Sequence, residues 1–170
     1  MKLTKCASIL ALAVFGISIL ACTGTKPGTD AESGENADKT RGKVGERLEA
    51  GGIALTVTDV SKKTKLGDFQ QAGENNEYVV VGVKLETTDR DESPYNPMYF
   101  KLRDGSGLEQ NAEVVNSLDG SLKSGKLFKG DSVRGTVVFE MPKGSSGLTL
   151  SYEPMVLLGG YETLRVDLDE

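Results

Sequence analysis

The chain of 170 residues contains no histidine, no tryptophan and only two cysteines. Without histidine it cannot build a Ser-His-Asp or Cys-His catalytic arrangement, and it offers no imidazole ligand to a metal ion. Cys6 and Cys22 both lie in the first 22 residues, so the rest of the chain can form neither a disulfide within itself nor a thiolate site. These absences exclude the commonest active sites. We therefore expect no cofactor and no enzymatic activity, although carboxylate pairs could still support acid–base chemistry.

Positive charge is also in short supply, with 20 Lys and Arg against 25 Asp and Glu and a formal net charge of −5. A nucleic-acid-binding domain needs a basic surface that displaces counterions from phosphates. No run of like charge is long enough to form a polyanionic or polycationic tail. We expect no nucleic-acid partner, and we attribute the mild acidity to solubility.

The longest apolar run lies near the N-terminus. Lys2 and Lys5 precede the uncharged residues 7–21 (ASILALAVFGISILA), and a polar segment follows. A positive start, an apolar run of this length and a small residue at its end are typical of a secretory signal peptide. The alternative is a transmembrane anchor, for which this run is short against the roughly 20 residues that cross a bilayer. The pattern favours a cleaved signal over residues 1–21.

The end of this run, Ile19-Leu20-Ala21-Cys22, resembles the bacterial lipobox, with Ile19 standing where Leu is usual. The resemblance implies that the thiol of Cys22 receives a diacylglyceryl group and that a peptidase cleaves after Ala21. Two or more acyl chains hold a protein stably on a membrane, whereas a single chain binds only marginally. We therefore expect a lipid anchor on Cys22 in the cell membrane or the outer membrane, with the protein facing outside the cytoplasm.

Residues 22–43 are predicted to be a lipidated, disordered tether. From residue 23 to about residue 43 the sequence has no aromatic residue and no Val, Ile, Leu or Met. Such a segment cannot bury enough apolar surface to offset the entropy lost on ordering. About 20 flexible residues span roughly 25 Å, which would lift a domain clear of the lipid headgroups.

From Val44 onward, short stretches alternate apolar and polar residues with period two, the pattern of a strand. The apolar sets are Ile53, Leu55 and Val57; Val79, Val81, Val83 and Leu85; Met98, Phe100 and Leu102; Val133, Val137, Phe139 and Met141; Leu148, Leu150 and Tyr152; and Leu164, Val166 and Leu168. Residues 109–118 come nearest to a helical pattern, but we expect a strand or short turn there. Seven or eight short strands predict an all-β fold, an antiparallel immunoglobulin-like β-sandwich over residues 44–170. Each sheet should bury one face and expose the other.

The segment 127–154 (LFKGDSVRGTVVFEMPKGSSGLTLSYEP) carries a recognisable combination of residues. A turn glycine is followed by Gly-x-Val-x-Phe, a proline and a Leu-x-Tyr strand, here Gly130, Gly135, Val137, Phe139, Pro142, Leu150 and Tyr152. The segment resembles a bacterial extracytoplasmic domain of unknown function with a telokin-like, immunoglobulin-type sandwich. The resemblance covers roughly residues 44–168. It implies a fold and a location, often in lipoproteins and secreted proteins, but no chemistry.

One acidic loop is a weak candidate for a metal site. Asp89, Asp91 and Glu92 lie close together in the sequence TTDRDESPYNP, and carboxylate oxygens are suitable calcium ligands. The loop lacks the D-x-[DN]-x-[DN]-G pattern with its distal glutamate. A solvated loop between strands is the favoured interpretation.

Three other segments could contribute to recognition. At least one of Tyr95 and Tyr99 is expected to cap the core with its hydroxyl in water, although the pair could also form a recognition rim. The loop 62–76 carries Leu66 and Phe69 in positions that look exposed, and Phe69 is expected to fold back on the sandwich. The segment 120–130 holds Lys123, Lys126 and Lys129, which could contact an anionic surface polymer or lipid headgroups, although a solvated edge is the favoured interpretation.

Taken together, these features predict a lipid-anchored, extracytoplasmic, non-enzymatic binding or accessory module. Its loops or an edge strand would contact a protein partner. The alternative is a cell-envelope lipoprotein that captures a small molecule or metal, and an enzyme that uses carboxylates alone is the third possibility.

Overall fold

The computed structural model describes residues 39–68, 70–115, 118–154 and 162–169. The predicted signal peptide, Ala21, Cys22 and most of the tether lie outside these residues, as does Phe69. Within the described residues, no helix is sufficiently long and apolar to span a bilayer.

The described residues form thirteen strands and one short 3-10 helix, Pro97–Tyr99. The strands are β1 Arg41–Lys43, β2 Arg47–Ala50, β3 Ile53–Lys63, β4 Lys65–Leu66, β5 Gln70–Gln71, β6 Asn76–Thr87, β7 Glu92–Tyr95, β8 Phe100–Arg103, β9 Glu109–Asn111, β10 Gly125–Phe128, β11 Ser132–Pro142, β12 Thr149–Tyr152 and β13 Leu164–Asp167. One sheet has the order β1-β13-β12-β8-β9, and the other has the order β11-β6-β3-β2. Two ribbons, β10-β7 and β4-β5, complete the fold, and every pairing is antiparallel except that of β1 with β13.

The two sheets pack face to face around one hydrophobic core, which confirms the all-β sandwich. The apolar sets predicted from the alternation meet there: Ile53, Leu55, Val57, Val79, Val81, Val83, Leu85, Phe100, Leu102, Val137, Phe139, Met141, Leu148, Leu150, Tyr152, Leu164, Val166 and Leu168 are all buried. Phe100 and Tyr152 pack with ring centroids 4.7 Å apart. Two members of the predicted sets differ: Val133 packs against this core only partly buried, and Met98 lies in the 3-10 helix and is 52% exposed.

The prediction that each sheet keeps one face in water is wrong for β6. Its outer face carries Tyr78 and Val80, which are buried in a second apolar cluster with Val138 and residues from two loops. Leu66, which looked exposed in the sequence, is among the residues that cover them and is fully buried. The reason is that the loops before β6 and after β9 fold over this face, which a strand pattern cannot show. The part of β6 around Tyr78 and Val80 is therefore covered on both sides.

Other differences concern short strands. The two sheets together hold nine strands, more than the predicted seven or eight. Strands such as β1 and β9 are three residues long and have no buried side chain, so no alternation marks them in the sequence. Because β1 begins at Arg41, sheet structure starts slightly before the predicted boundary at Val44.

A β-bulge interrupts β3 where it pairs with β6. Val57 pairs with Val83 and Asp59 pairs with Gly82, so Thr58 is the extra residue. A Cβ at position 82 would lie 2.6 Å from Thr58 Oγ1 and still closer to the carboxylate of Asp59. Glycine at this position therefore lets two side chains of β3 lie over one residue of β6.

Candidate functional site

The acidic loop and the lysine segment, which are separate candidates in the sequence, lie side by side in the structure. β7 follows the acidic loop and pairs with β10, which places Glu92 opposite Phe128. Lys129 Nζ lies 2.9 Å from Asp89 Oδ1, and Lys126 Nζ lies 2.7 Å from Glu92 Oε1. Two of the three candidate calcium ligands are therefore occupied by ammonium groups.

Both ion pairs are open to solvent, and the pair of Asp89 with Lys129 shifts the pKa of its two members. The hydrogen bond and the charge of Lys129 lower the pKa of Asp89. The same contact raises the pKa of Lys129. Among the residues that the structure describes, no group of three acidic side chains could hold a metal ion. The geometry at residues 89–92 is thus that of neutralised surface charge.

A separate cleft of about 400 Å³ lies on the outer face of β11. Its walls come from the segments before and after the undescribed residues 116–117, from the start of the 3-10 helix, and from Thr136 and Val138 of β11. The lining is mixed: Asn96, Pro97, Glu113, Val114, Val115, Leu118, Asp119, Gly120, Ser121, Leu122, Lys123, Ser124, Thr136 and Val138. We call it the β11 cleft.

Backbone hydrogen bonds tie both ends of the cleft loop to β11. Glu113 N–H donates to Val138 O at 2.8 Å, and Leu122 N–H donates to Thr136 O at 2.9 Å. Between these points Ser121 Oγ lies 2.8 Å from the carbonyl oxygens of both Val115 and Leu118. The loop is therefore hydrogen-bonded to β11 at both of its ends, and the Ser121 hydroxyl connects its two sides.

Gly135 allows the loop to lie this close to β11. A Cβ at position 135 would be 2.7 Å from Leu122 Cα, which is closer than atoms can approach. Gly135, the first residue of the Gly-x-Val-x-Phe motif, thus leaves the space in which Leu122 packs against β11. Gly120 lies in the loop two residues before Leu122 and has a φ of +79°, a backbone conformation that favours glycine.

The charge of Glu140 acts on Glu113, a carboxylate residue in the lining of the cleft. Burial and the charge of Glu140 raise the pKa of Glu113. Glu140 Oε1 accepts hydrogen bonds from Gly73 N–H at 2.8 Å and from the side-chain amide of Asn76 at 2.9 Å. Burial and both carboxylates raise the pKa of Tyr78. Glu113 lines the cleft and Glu140 does not, and the other acidic residue in the lining is Asp119.

One exposed apolar residue lies in the wall of the β11 cleft, and a second follows a lining residue in the sequence. Val114 in its wall is 67% exposed, and Met98, next to the lining residue Pro97, is 52% exposed. Asn96 holds this corner by accepting the Met98 N–H at 2.9 Å. Tyr95 and Tyr99 lie close by in the sequence and pack partly buried against the main core, as expected for residues that cap it.

The sequence interpretation missed the β11 cleft. It identified Lys123 as part of a solvated segment but did not connect it with Glu113, because no local pattern relates the two. The serine and glycines at 120–124 are turn residues in any context, and their role depends on which strand they lie against.

The fold and the cleft define this protein as a two-sheet β-sandwich with a loop-built recess on one outer face. The chain belongs to the family described as Domain of unknown function (DUF4352), whose model matches residues 42–163. No curated protein sequence matches the chain significantly.

Several solved structures share the fold. The yjhA protein of Bacillus subtilis is 24% identical, with a TM-score of 0.61 over 75% of this chain and 99% of that one. A candidate lipoprotein of the same species, ycdA, is 18% identical with a TM-score of 0.61 over 77% of this chain, which spans only 39% of ycdA. The secreted protein MPT63 of Mycobacterium tuberculosis is 13% identical with a TM-score of 0.58, over 78% of this chain and 98% of that one.

Proposed function

We propose that this protein is a lipid-anchored, non-enzymatic binding module outside the cytoplasm, which contacts a protein partner through the β11 cleft. The observation that carries the binding role is the exposure of Val114 and Met98 beside a recess of mixed polarity. Exposed apolar side chains rimmed by polar groups are typical of protein interaction sites. The partner would place apolar side chains over Val114 and Met98 and polar groups against the loop.

The lipid anchor rests on the lipobox-like residues Ile19 to Cys22 and on the apolar run before them. Two neighbours of similar fold support the location, since ycdA is a candidate lipoprotein and MPT63 is a secreted protein. We keep the telokin-like classification and the tether as parts of the same proposal, with the tether now ending before β1 at Arg41.

The anchor is tested by membrane fractionation of cells that express wild type or Cys22→Ala. We expect the wild type in the membrane fraction and the variant released from it, with Cys6→Ala as the matched control that stays bound. A Cys22→Ala protein that remains on the membrane through an uncleaved N-terminus would contradict lipidation and support the transmembrane alternative.

The binding role is tested by placing a photocrosslinking residue at position 114 of the full chain in intact cells. Position 128 is the matched control, because Phe128 is also apolar and 57% exposed but lies outside the cleft. We expect a discrete crosslinked protein from position 114 that position 128 does not give. The same products from both positions, or none from position 114, would contradict recognition at the cleft.

Capture of a small molecule is a second candidate function, because about 400 Å³ falls within the size range of ligand pockets. Native mass spectrometry of the protein purified from cells would reveal a bound compound. Ser124→Trp, which fills the cleft from its rim, should abolish that additional mass, whereas Ser132→Trp on the exposed start of β11 should retain it.

A further inference from the structure

The four-stranded sheet has one edge that is only half covered. β2 pairs with residues Ile53 to Thr56 of β3, and Gly45 N–H bonds to Val57 O. β3 then continues to Lys63 with β6 on one side, while on the other side none of the described residues donates to or accepts from its main chain. We call residues 59–63 the β3 edge. Its outward N–H and C=O groups form a template for a further strand.

The side chains of the β3 edge are divided between two faces. Asp59, Ser61 and Lys63 pair with Gly82, Val80 and Tyr78 of β6 and therefore share the outer face of the sheet. Val60 and Lys62 point to the inner side, where Val60 packs against the main core and Lys62 Nζ contacts Ser145 O at 2.7 Å.

Two opposite charges, Asp59 and Lys63, lie on the outer face of the β3 edge. Ion pairs involve Lys62, Lys84, Glu86 and others, but neither Asp59 nor Lys63 takes part in one within the described residues. The carboxylate of Asp59 accepts a hydrogen bond from the hydroxyl of the adjacent Thr58, at 3.0 Å. The opposite charges stand two residues on either side of Ser61.

We infer that the β3 edge pairs with the same edge of a second copy of this chain, antiparallel about a two-fold axis at Ser61. In an antiparallel pair, directly opposed residues share a face. With Ser61 opposite Ser61 of the second copy, each Asp59 faces a Lys63, and two equivalent ion pairs form. The two four-stranded sheets then join into one, and the unused main-chain groups are satisfied. This inference is independent of the β11 cleft and of the lipid anchor.

The register of this pairing follows from the face that each side chain occupies as well as from charge. A register centred on Ser61 matches outer face to outer face and brings opposite charges together, whereas a shift by one residue would place outer side chains against inner ones. Five residues per copy make a small interface, so we expect a weak, concentration-dependent dimer.

Cysteine crosslinking of the full chain tests this pairing. Opposed Cα atoms in an antiparallel pair lie about 4.5–5.5 Å apart, within the range that a disulfide bridges. Ser61→Cys, oxidised with copper–phenanthroline in extracts of expressing cells, should give a covalent dimer. Ser132→Cys, an exposed serine on another strand, and the wild-type chain give the background. A dimer no more abundant than this background would overturn the inference.

Charge reversal provides the second arm. In the Ser61→Cys background, Lys63→Glu turns two attractive cross-strand contacts into like-charge contacts and should weaken dimer formation about tenfold. Adding Asp59→Lys reverses both charges and should restore the dimer. Two results would contradict the register: an unchanged dimer yield in the Lys63→Glu chain, or a yield that does not recover when Asp59→Lys is added.

Discussion

At the scale of single residues, Glu113 is the clearest case of a side chain held in a state that it does not favour. Its carboxylate is partly buried at the end of the β11 cleft and lies near Glu140, and both conditions raise its pKa. Its backbone nevertheless makes the 2.8 Å hydrogen bond to Val138 that begins the cleft loop. The main chain of Glu113 thus stabilises the folded state, whereas its charged carboxylate destabilises it.

Glu113→Gln should therefore stabilise the protein near neutral pH. A carboxyl whose pKa is raised by folding contributes stability below its unfolded pKa and loses it as pH rises through the folded value. Removing the charge should raise the Tm by roughly 1–3 °C at pH 7, and the difference should vanish at pH 4. Glu74→Gln, at an exposed position, serves as the control. A gain that persists unchanged at pH 4 would contradict this account.

Asp89 shows the opposite sign. Lys129 lowers its pKa, so its contribution to stability is present above the unfolded pKa and disappears as pH falls through the folded value. Asp89→Asn should lower the Tm slightly at pH 7 in low salt, and the loss should shrink in 1 M salt because exposed ion pairs are screened. Asp68→Asn is the exposed control. A loss independent of both pH and salt would show that Asp89 acts through something other than this ion pair.

At the scale of elements, loops determine the character of the outer sheet face. The segment from Glu113 to Leu122 is bonded to β11 at both ends, and the loop containing Leu66 covers the neighbouring part of β6. Each loop contributes apolar residues to one cluster, so each depends on the other for burial. The cleft is the gap left beside this second cluster.

Gly135→Ala tests whether Leu122 can lie against β11 only because residue 135 has no side chain. The added methyl group would meet Leu122 backbone at 2.7 Å, so the loop must move away from β11. Overpacking of this kind costs about 1–3 kcal/mol. Urea unfolding should show that loss, and hydrogen exchange of the Leu122 N–H should accelerate. Ser132→Ala on the same strand should change neither quantity. Unaltered exchange at Leu122 would contradict the role assigned to Gly135.

Leu66→Ala tests whether the second cluster is part of the stable fold. Leu66 is 1% exposed, and truncating a buried leucine typically costs about 2–5 kcal/mol. Leu108→Ala, at a position that is 37% exposed, is the matched control and should cost far less. Equal effects of the two substitutions on urea unfolding would mean that the loop before β6 does not hold Leu66 in the cluster.

At the scale of the whole molecule, the sandwich is stabilised by packing without covalent links. The chain's two cysteines precede the described residues, and the core joins both sheets through aliphatic and aromatic side chains. A core of this size is sufficient for a domain of more than 100 residues. Such a design suits a protein in either a reducing or an oxidising compartment.

Thermal unfolding should therefore not respond to reductant. We expect the same Tm for the full chain with and without dithiothreitol, measured by circular dichroism. The Ser61→Cys chain, after oxidation, is the informative comparison, because its covalent dimer should lose its additional stability when reduced. A wild-type Tm that falls in dithiothreitol would contradict stabilisation by packing alone.

The main core was predictable because burial alternates along each strand and the alternation is local. The period-two spacing of Val79, Val81 and Val83 is enough to predict that they share a buried face. Tyr95 and Tyr99 could be placed against the core because a tyrosine ring can pack on apolar residues while its hydroxyl reaches water. Leu66 could not be placed, because a two-residue strand has no period to detect.

The sequence by itself determined the fold class, the inward face of each long strand and the expectation of a lipid anchor at Cys22, since each depends on neighbouring residues. Only the tertiary structure decided that Asp89 is neutralised by a lysine 40 positions away and that Ser121 closes a loop against β11. Strand order sets these contacts, and many strand orders satisfy the same alternation. The physical reason is that burial is encoded residue by residue, whereas contacts between distant segments depend on how the sheets assemble.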